Sequence, residues 1–412
     1  MNQKLRSDAD QIVKASIQAV MPDEAVVRAL RDFKPGAGRT VLVSIGKAGW
    51  QMADTAVRFL GSVDGGLVIT KYGHVKGAIP GVDCREAGHP VPDKNGFDAA
   101  SAAIDLVSGL TEQDTVLFLI SGGGSALFEK PLLPGEELQD ITQQLLSCGA
   151  DIVEINTIRK RLSGVKGGRF AKLCEPARVF CVVLSDIIGD PPDMIASGPA
   201  CPDSSTSADA LRIAGKYGLK LSEKARSLLQ EETPKELHNV TIRITGSVRE
   251  LCAAAAEECE KLGYRPVILT DRLCCEAREA GSFLGSIART YADSEENLAW
   301  IAGGETVVHL TGKGVGGRNQ ELALAAAPLI DGIPNAAVFS VGSDGTDGPT
   351  DAAGGYVDGD TCEILRQQNI AVSAVLKEND AYRALEKTGG LIITGPTGTN
   401  VNDAAVVLIR SR

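Results

Sequence analysis

Residues 40–49 read Thr40-Val41-Leu42-Val43-Ser44-Ile45-Gly46-Lys47-Ala48-Gly49, a continuous apolar run that ends in a glycine turn. A run of branched and leucine side chains without polar alternation predicts a strand covered on both faces. Such strands belong to parallel sheets with helices on either side. The turn leads into a helical stretch to about Leu60, which completes a strand, glycine turn, helix unit. The unit recurs around strands predicted at 66–70, 115–120 and 179–184. This repetition predicts an α/β fold whose first half is a Rossmann-like, three-layer parallel sheet.

A charged helical stretch at 222–232 and a polar turn at Thr233-Pro234 interrupt the series, and a second one follows. Its strands are predicted at 241–245, 266–269, 298–302, 306–310, 337–341 and 391–394. The boundary is placed near 238, giving a Rossmann-like domain over 1–238 and a smaller α/β domain over 239–412.

Composition narrows the function. Lys and Arg number 42 against 53 Asp and Glu, a net charge of −11. A chain this acidic lacks the basic face that nucleic-acid phosphates require. An anionic substrate then needs a few well-placed cations to create a local positive field. Ten cysteines show no paired zinc spacing, and most lie in apolar runs, so they read as buried free thiols of a reducing compartment. The N-terminal stretch is charged, with no apolar signal core, and no run approaches the roughly 18 apolar residues of a membrane span. A cytoplasmic protein, monomer or homodimer, is expected.

In parallel α/β sheets, ligands bind beyond the carboxyl ends of the strands. Reading those ends collects the candidate site. Ser121-Gly122-Gly123-Gly124-Ser125 follows a strand and opens toward a helix, so its backbone N–H groups are placed to cradle phosphate. It is not a Walker A loop, for G-x-x-x-x-G-K-[ST] occurs nowhere in the chain. Lys47 reads as aimed at a carboxylate or phosphate. Asp186 and Asp190 flank a turn after a strand, and Asp344 and Asp347 do the same in the second half. Carboxylates of this kind suit Mg²⁺, which takes its remaining ligands from phosphate and water. Glu305 after Ala302-Gly303-Gly304 and Asn400 after Thr397-Gly398-Thr399 complete the set.

Three further motifs carry less. Gly312, Gly314 and Gly317 match G-x-G-x-x-G, but the acid of a dinucleotide fingerprint is missing at the expected distance. Arg318 near the following helix start is the more telling residue, since a guanidinium can grip an anion with two N–H groups. The basic run from Asn156 to Arg169 reads as a solvated face or as an anion-facing loop, with Lys166 the candidate for ATP phosphates. His74 and His89 read as structural histidines.

Together these segments resemble the glycerate 2-kinase family of the MOFRL type, long labelled putative hydroxypyruvate reductase. The resemblance rests on SIGKAGWQMA, TKYGH, EAGHPVPD, ISGGGSALFEKP, NTIRKRLSGVKGGRFA, LSDIIGDPPDMIASGP, GGETVVHLTGKGVGGRNQELALAAA, SVGSDGTDGPTDAAG and GPTGTNVNDAAVVL, nearly the whole chain. It implies two α/β domains with the active site in the cleft between them, and ATP-dependent phosphorylation of D-glycerate at its 2-hydroxyl. It also implies that Lys47 and Arg318 are active-site residues. The alternative the old label suggests is an NAD(P)H-dependent hydroxypyruvate reductase.

Overall fold

The computed structural model describes residues 1–411 and divides into two compact units, residues 25–245 and residues 1–24 with those from 246 onward. The first unit carries β1 (Thr40–Ile45), β2 (Gly65–Lys71), β3 (Val82–Ala87), β4 (Thr115–Ile120), β5 (Arg178–Val183) and β6 (Val240–Ile244). They form one sheet in the order β3-β2-β1-β4-β5-β6, every pair parallel. This is the doubly wound order in which the chain reverses direction across the sheet between β1 and β4.

Side-chain alternation builds the layers. Val41, Val43 and Ile45 share one core with Phe118, Phe128 and Phe170, while Leu42 packs on the other face with Leu117, Leu119, Met52 and Phe180. Both faces of β1 are therefore apolar, which is why its sequence shows no polar alternation. Ile45 lies beside Ile120 in register, so the loops that begin at Gly46 and Ser121 leave the sheet side by side.

The second unit is mixed. β7 (Arg265–Leu273), β8 (Leu298–Gly304), β9 (Ala336–Gly342), β10 (Gly354–Asp358), β11 (Leu391–Ile392) and β12 (Asp403–Ile409) run in the order β11-β10-β9-β12-β8-β7. Of these pairs, β7 with β8 is parallel and the rest are antiparallel. β12 lies between β8 and β9, pairing Asp403 with both Gly304 and Gly342. The first residue of β12 thus sits at the carboxyl ends of its two neighbours.

Three expectations change here. The boundary near 238 falls before β6, which belongs to the first sheet through its register with β5. Residues 1–24 join the second unit instead of the first: the helix Gln3–Ala19 buries Leu5, Ile12 and Ile17 against Cys252, Ala255 and Cys259. Its Asp8 is sealed in by the Tyr264 hydroxyl at 2.7 Å and by Arg410 and Lys4. Residues 306–310 form no strand; Val307 makes an isolated bridge to Glu276, and Leu310 is 82% exposed. An apolar-looking run with that much exposure has no sheet to enter.

Among the described residues no helix is long and apolar enough to cross a membrane. All ten cysteines are free, with Cys174, Cys181, Cys252, Cys259 and Cys362 buried and Cys148, Cys274 and Cys275 exposed.

Candidate active site

The loops after β1 and β4 are laced together at the sheet's reversal point. The Lys47 N–H donates to the Gly122 carbonyl at 2.9 Å, and the Ala48 N–H donates to Ser121 Oγ at 3.1 Å. The fit has no spare volume: a Cβ on Gly46 would lie 2.3 Å from Ser121 Oγ, and Gly46 adopts a left-handed φ of +108°. Glycine is required there on both counts.

Three other strand ends deliver side chains to the same loop. A Cβ on Gly122 would lie 2.4 Å from the Asp186 carboxylate, and one on Gly123 would lie 3.1 Å from both the His89 ring and Lys47 Cγ. The glycines therefore let Lys47, His89 and Asp186 crowd against bare backbone. Within that backbone, the amides of Gly122, Gly123 and Ser125 donate to no backbone carbonyl among the described residues. N–H groups without a backbone partner beside a cation are the kind of backbone that can face an anion.

The Lys47 side chain is exposed, and no carboxylate pairs with its ammonium among the described residues. Its carbonyl accepts from Thr70 Oγ1 and lies 2.9 Å from His74 Nδ1. His89, read from sequence as structural, is half-buried in this group. Burial, then the charges of Lys47, Lys71 and His74, hold its imidazole below the usual range, so it stays neutral near pH 7.

Asp190 stands in a left-handed conformation, φ +52°, and its Oδ1 is buried without a hydrogen-bond partner. A buried carboxylate oxygen without a hydrogen-bond partner is a polar group that a cation could satisfy. No group of three or more metal-ligating side chains occurs among the described residues.

The basic run is neither a solvated face nor an anion-facing loop. Lys160 is 2% exposed and pairs with Asp203 at 3.0 Å and Asp193 at 3.3 Å; Arg161 is fully buried against Asp203, Glu232 and the Ser205 carbonyl. Arg169 donates to the Ser163 carbonyl at 2.7 Å. Lys166, expected at the ATP phosphates, is fully buried and donates to the Ser125 and Phe128 carbonyls, both at 2.8 Å. Its ammonium also forms an ion pair with Glu129 at 3.1 Å, so its charge is committed inside the protein. Asp203 neutralises two buried cations, so Asp203→Ala should cost about 3–5 kcal/mol of stability. Denaturant unfolding of the variant, read at its midpoint, checks this.

In the second unit, Arg318 begins the helix Arg318–Ile330. Its guanidinium forks onto Asp403, Nε to Oδ2 at 2.5 Å and Nη2 to Oδ1 at 2.9 Å, while Nη1 donates to Glu305 at 3.1 Å. Burial opposes the charge on Arg318, but the Asp403 hydrogen bonds more than reverse it and raise its pKa. Three of its five N–H groups are engaged, leaving two for a ligand. Asp403 is a residue the sequence reading missed. It owes its place to the antiparallel insertion of β12, which a scan of strand carboxyl ends does not see.

Asp347, a candidate base from sequence, is 3% exposed and caps that helix instead. Gly317 at the N-cap has no side chain, and Asp347 accepts from the Asn319 and Gln320 N–H groups at 3.1 and 2.8 Å. Burial pushes its carboxyl up to about 6 against those two bonds. Asp344 accepts from the Thr346 N–H at 3.0 Å, and Asn400 is exposed, accepting from the Asn402 N–H at 3.3 Å. Ser343 ties their two loops together through Thr397 Oγ1, the Val401 N–H and the Asn402 carbonyl. The Glu305 carboxylate accepts from Asn402 Nδ2 at 3.2 Å.

The G-x-G-x-x-G match is explained by packing. A Cβ on Gly312 or Gly314 would lie 2.3–2.5 Å from residues 378–380, and one on Gly317 would lie 2.3 Å from Asp347. In the first sheet β2 ends in Lys71, where a dinucleotide fold places an acid for the ribose.

The chain is similar to known proteins over nearly its whole length. Residues 8–230 match the model of a domain of unknown function, DUF4147, and residues 298–403 match that of the MOFRL family. The chain is 51% identical to a D-glycerate 2-kinase of Thermotoga maritima, over 99% of both chains. It is 39% identical to a putative hydroxypyruvate reductase of Agrobacterium vitis, over 97% of this chain and 93% of that one. A crystal structure of a glycerate kinase from Thermotoga maritima superposes with a TM-score of 0.93 at 50% identity, covering 99% of this chain and 100% of that one.

Proposed function

The chain belongs to the MOFRL-containing glycerate 2-kinase family, and from that premise we propose that it transfers the γ-phosphoryl group of ATP to the 2-hydroxyl of D-glycerate. The observation that carries the reading is the set of amides at Gly122, Gly123 and Ser125 that donate to no backbone carbonyl among the described residues, beside Lys47 and Asp186. A site built this way offers directed N–H groups and an exposed cation, which suit phosphoryl transfer by positioning and electrostatics.

The ATP phosphates lie on the 121–125 amides, with the Lys47 ammonium neutralising charge on the group in transfer. Asp186 and Asp190 are the residues that would hold Mg²⁺, whose charge would offset that of the phosphates. In the second unit, Arg318 keeps two N–H groups for an anion such as the glycerate carboxylate, and Asp403 and Glu305 fix the plane in which they point. The proton released from the 2-hydroxyl needs an acceptor. Asp347 is committed to its helix cap, which leaves Asp344 and the neutral His89 imidazole as the groups to test by pH–rate profile.

One purified sample, divided in two, tests the reaction class. With ATP, Mg²⁺ and D-glycerate, ADP should form only when glycerate is present. With NADH and hydroxypyruvate, the NADH absorbance should stay constant. Loss of NADH without glycerate-dependent ADP would replace the kinase by the reductase.

A further inference from the structure

Three charged side chains behind the glycine loop take no part in the scheme above. Lys166 Nζ and Arg159 Nη2 both donate to the Ser125 carbonyl, at 2.8 and 2.9 Å, and Lys166 also holds the Phe128 carbonyl. Glu129, fully buried, lies 3.1 Å from Lys166 Nζ and 3.9 Å from Arg159 Nη2. Ser125 is held by its side chain as well, through Ser197 Oγ at 3.0 Å and on to Asn156. The end of the loop is thus fixed from three directions while its own amide donates to no backbone carbonyl among the described residues.

The charges of this group do not balance. Two cations face one carboxylate, and the neighbouring charges are committed elsewhere. Lys130 Nζ donates to Ser101 Oγ, Lys160 and Arg161 face Asp203, and Arg169 turns to the Ser163 carbonyl. Among the described residues neither Glu129 carboxylate oxygen nor Arg159 Nε has a hydrogen-bond partner, so ion pairing alone holds the carboxylate. A buried excess charge is costly unless an opposite charge comes within reach. One peptide separates these cations from the amides of the loop.

We infer that Lys166, Arg159 and Glu129 form a buried positioning and charge-coupling group, whose excess positive charge is balanced by the anionic phosphate bound on residues 121–125. The inference rests on reading that loop as the phosphate cradle. It makes phosphate binding and the charge on Lys166 interdependent. Burial lowers the Lys166 pKa to about 8, with Glu129 holding it up and Arg159 pressing it down. A bound anion favours the charged ammonium and raises that pKa. Binding therefore takes up a proton above about pH 8 and none well below it. Affinity falls as pH rises past that value, by up to about tenfold per pH unit for one linked proton.

The experiment is calorimetric titration of Mg²⁺–ADP into the full-length protein at pH 7 and pH 9, in two buffers of different ionisation enthalpy. Wild type should take up a fraction of a proton per ADP at pH 9, take up almost none at pH 7, and bind more weakly at pH 9. Lys166→Arg, which cannot lose its charge, should bind with no uptake and a flat pH dependence. Glu129→Gln, which keeps a side chain of the same shape if Lys166→Arg does not fold, should move the uptake to lower pH. Equal ADP affinity and no proton uptake at both pH values in wild type would overturn the coupling, as would unchanged uptake in Glu129→Gln. If Gly123→Val binds ADP as wild type does, the cradle reading itself fails, and the coupling with it.

Discussion

Replacing Lys47 by alanine should lower kcat/KM for D-glycerate phosphorylation by about 10²–10³-fold, the loss typical of one preorganised electrostatic donor. The side chain is exposed and its peptide groups hold the two loops together through backbone bonds that alanine retains. Stability should therefore change by no more than about 0.5 kcal/mol, the range of surface substitutions. Loss of turnover without loss of fold is the signature of a cation used in the transfer. Steady-state kinetics beside a denaturant curve on the same preparation separates the two. Near-normal turnover in Lys47→Ala would remove the central cation of the scheme.

Arg318→Met should cost both activity and fold. Asp403 is 6% exposed and both of its carboxylate oxygens accept from Arg318. Removing the guanidinium leaves a buried carboxylate without its counter-charge, at about 3–5 kcal/mol. The deficit depends on pH with a definite sign. Burial already raises the Asp403 pKa in the folded protein even with Arg318 in place. In the variant the folded state holds that proton more tightly still than the unfolded chain. A folded state that binds more protons than the unfolded one loses stability as pH rises. The deficit of Arg318→Met should thus be larger at pH 7 than at pH 5, read from unfolding midpoints at the two values. A deficit that does not shrink on acidification would show that the ion pair is not its source.

Much of the first unit is legible in the sequence for one physical reason. β1 and β4 are uninterrupted apolar runs because both of their faces are covered, and glycines mark where backbones must touch. Lys47 and the 121–125 loop follow from reading the carboxyl ends of those strands. β3 escapes that reading because Val-Asp-Cys-Arg-Glu-Ala is an edge strand, half exposed and partly charged. β12 is apolar enough to be a strand, but nothing in Asp403–Ile409 reveals that it inserts antiparallel between β8 and β9. Asp403 reaches Arg318 through that placement alone.

Charge is harder to read than apolarity. The run from Asn156 to Arg169 looks like a solvated or ligand-facing surface because its counter-ions, Glu129, Asp203 and Glu232, are distant in sequence. Only the fold brings them together. Asp347 looks like a free acid for a related reason: the helix it caps begins at Gly317, which has no side chain of its own to offer. Tertiary partners decide what a charged residue does, and a linear pattern carries little of that information.

The measurement that bears most directly on the account is the position of the phosphate in the product. Purified protein is incubated with ATP, Mg²⁺ and D-glycerate, and enolase is added alone, with no mutase to interconvert the two phosphoglycerates. The account predicts immediate enolase-dependent formation of phosphoenolpyruvate, because transfer is to the 2-hydroxyl. ADP formation with no enolase product until a mutase is supplied would contradict it and assign the transfer to the 3-hydroxyl.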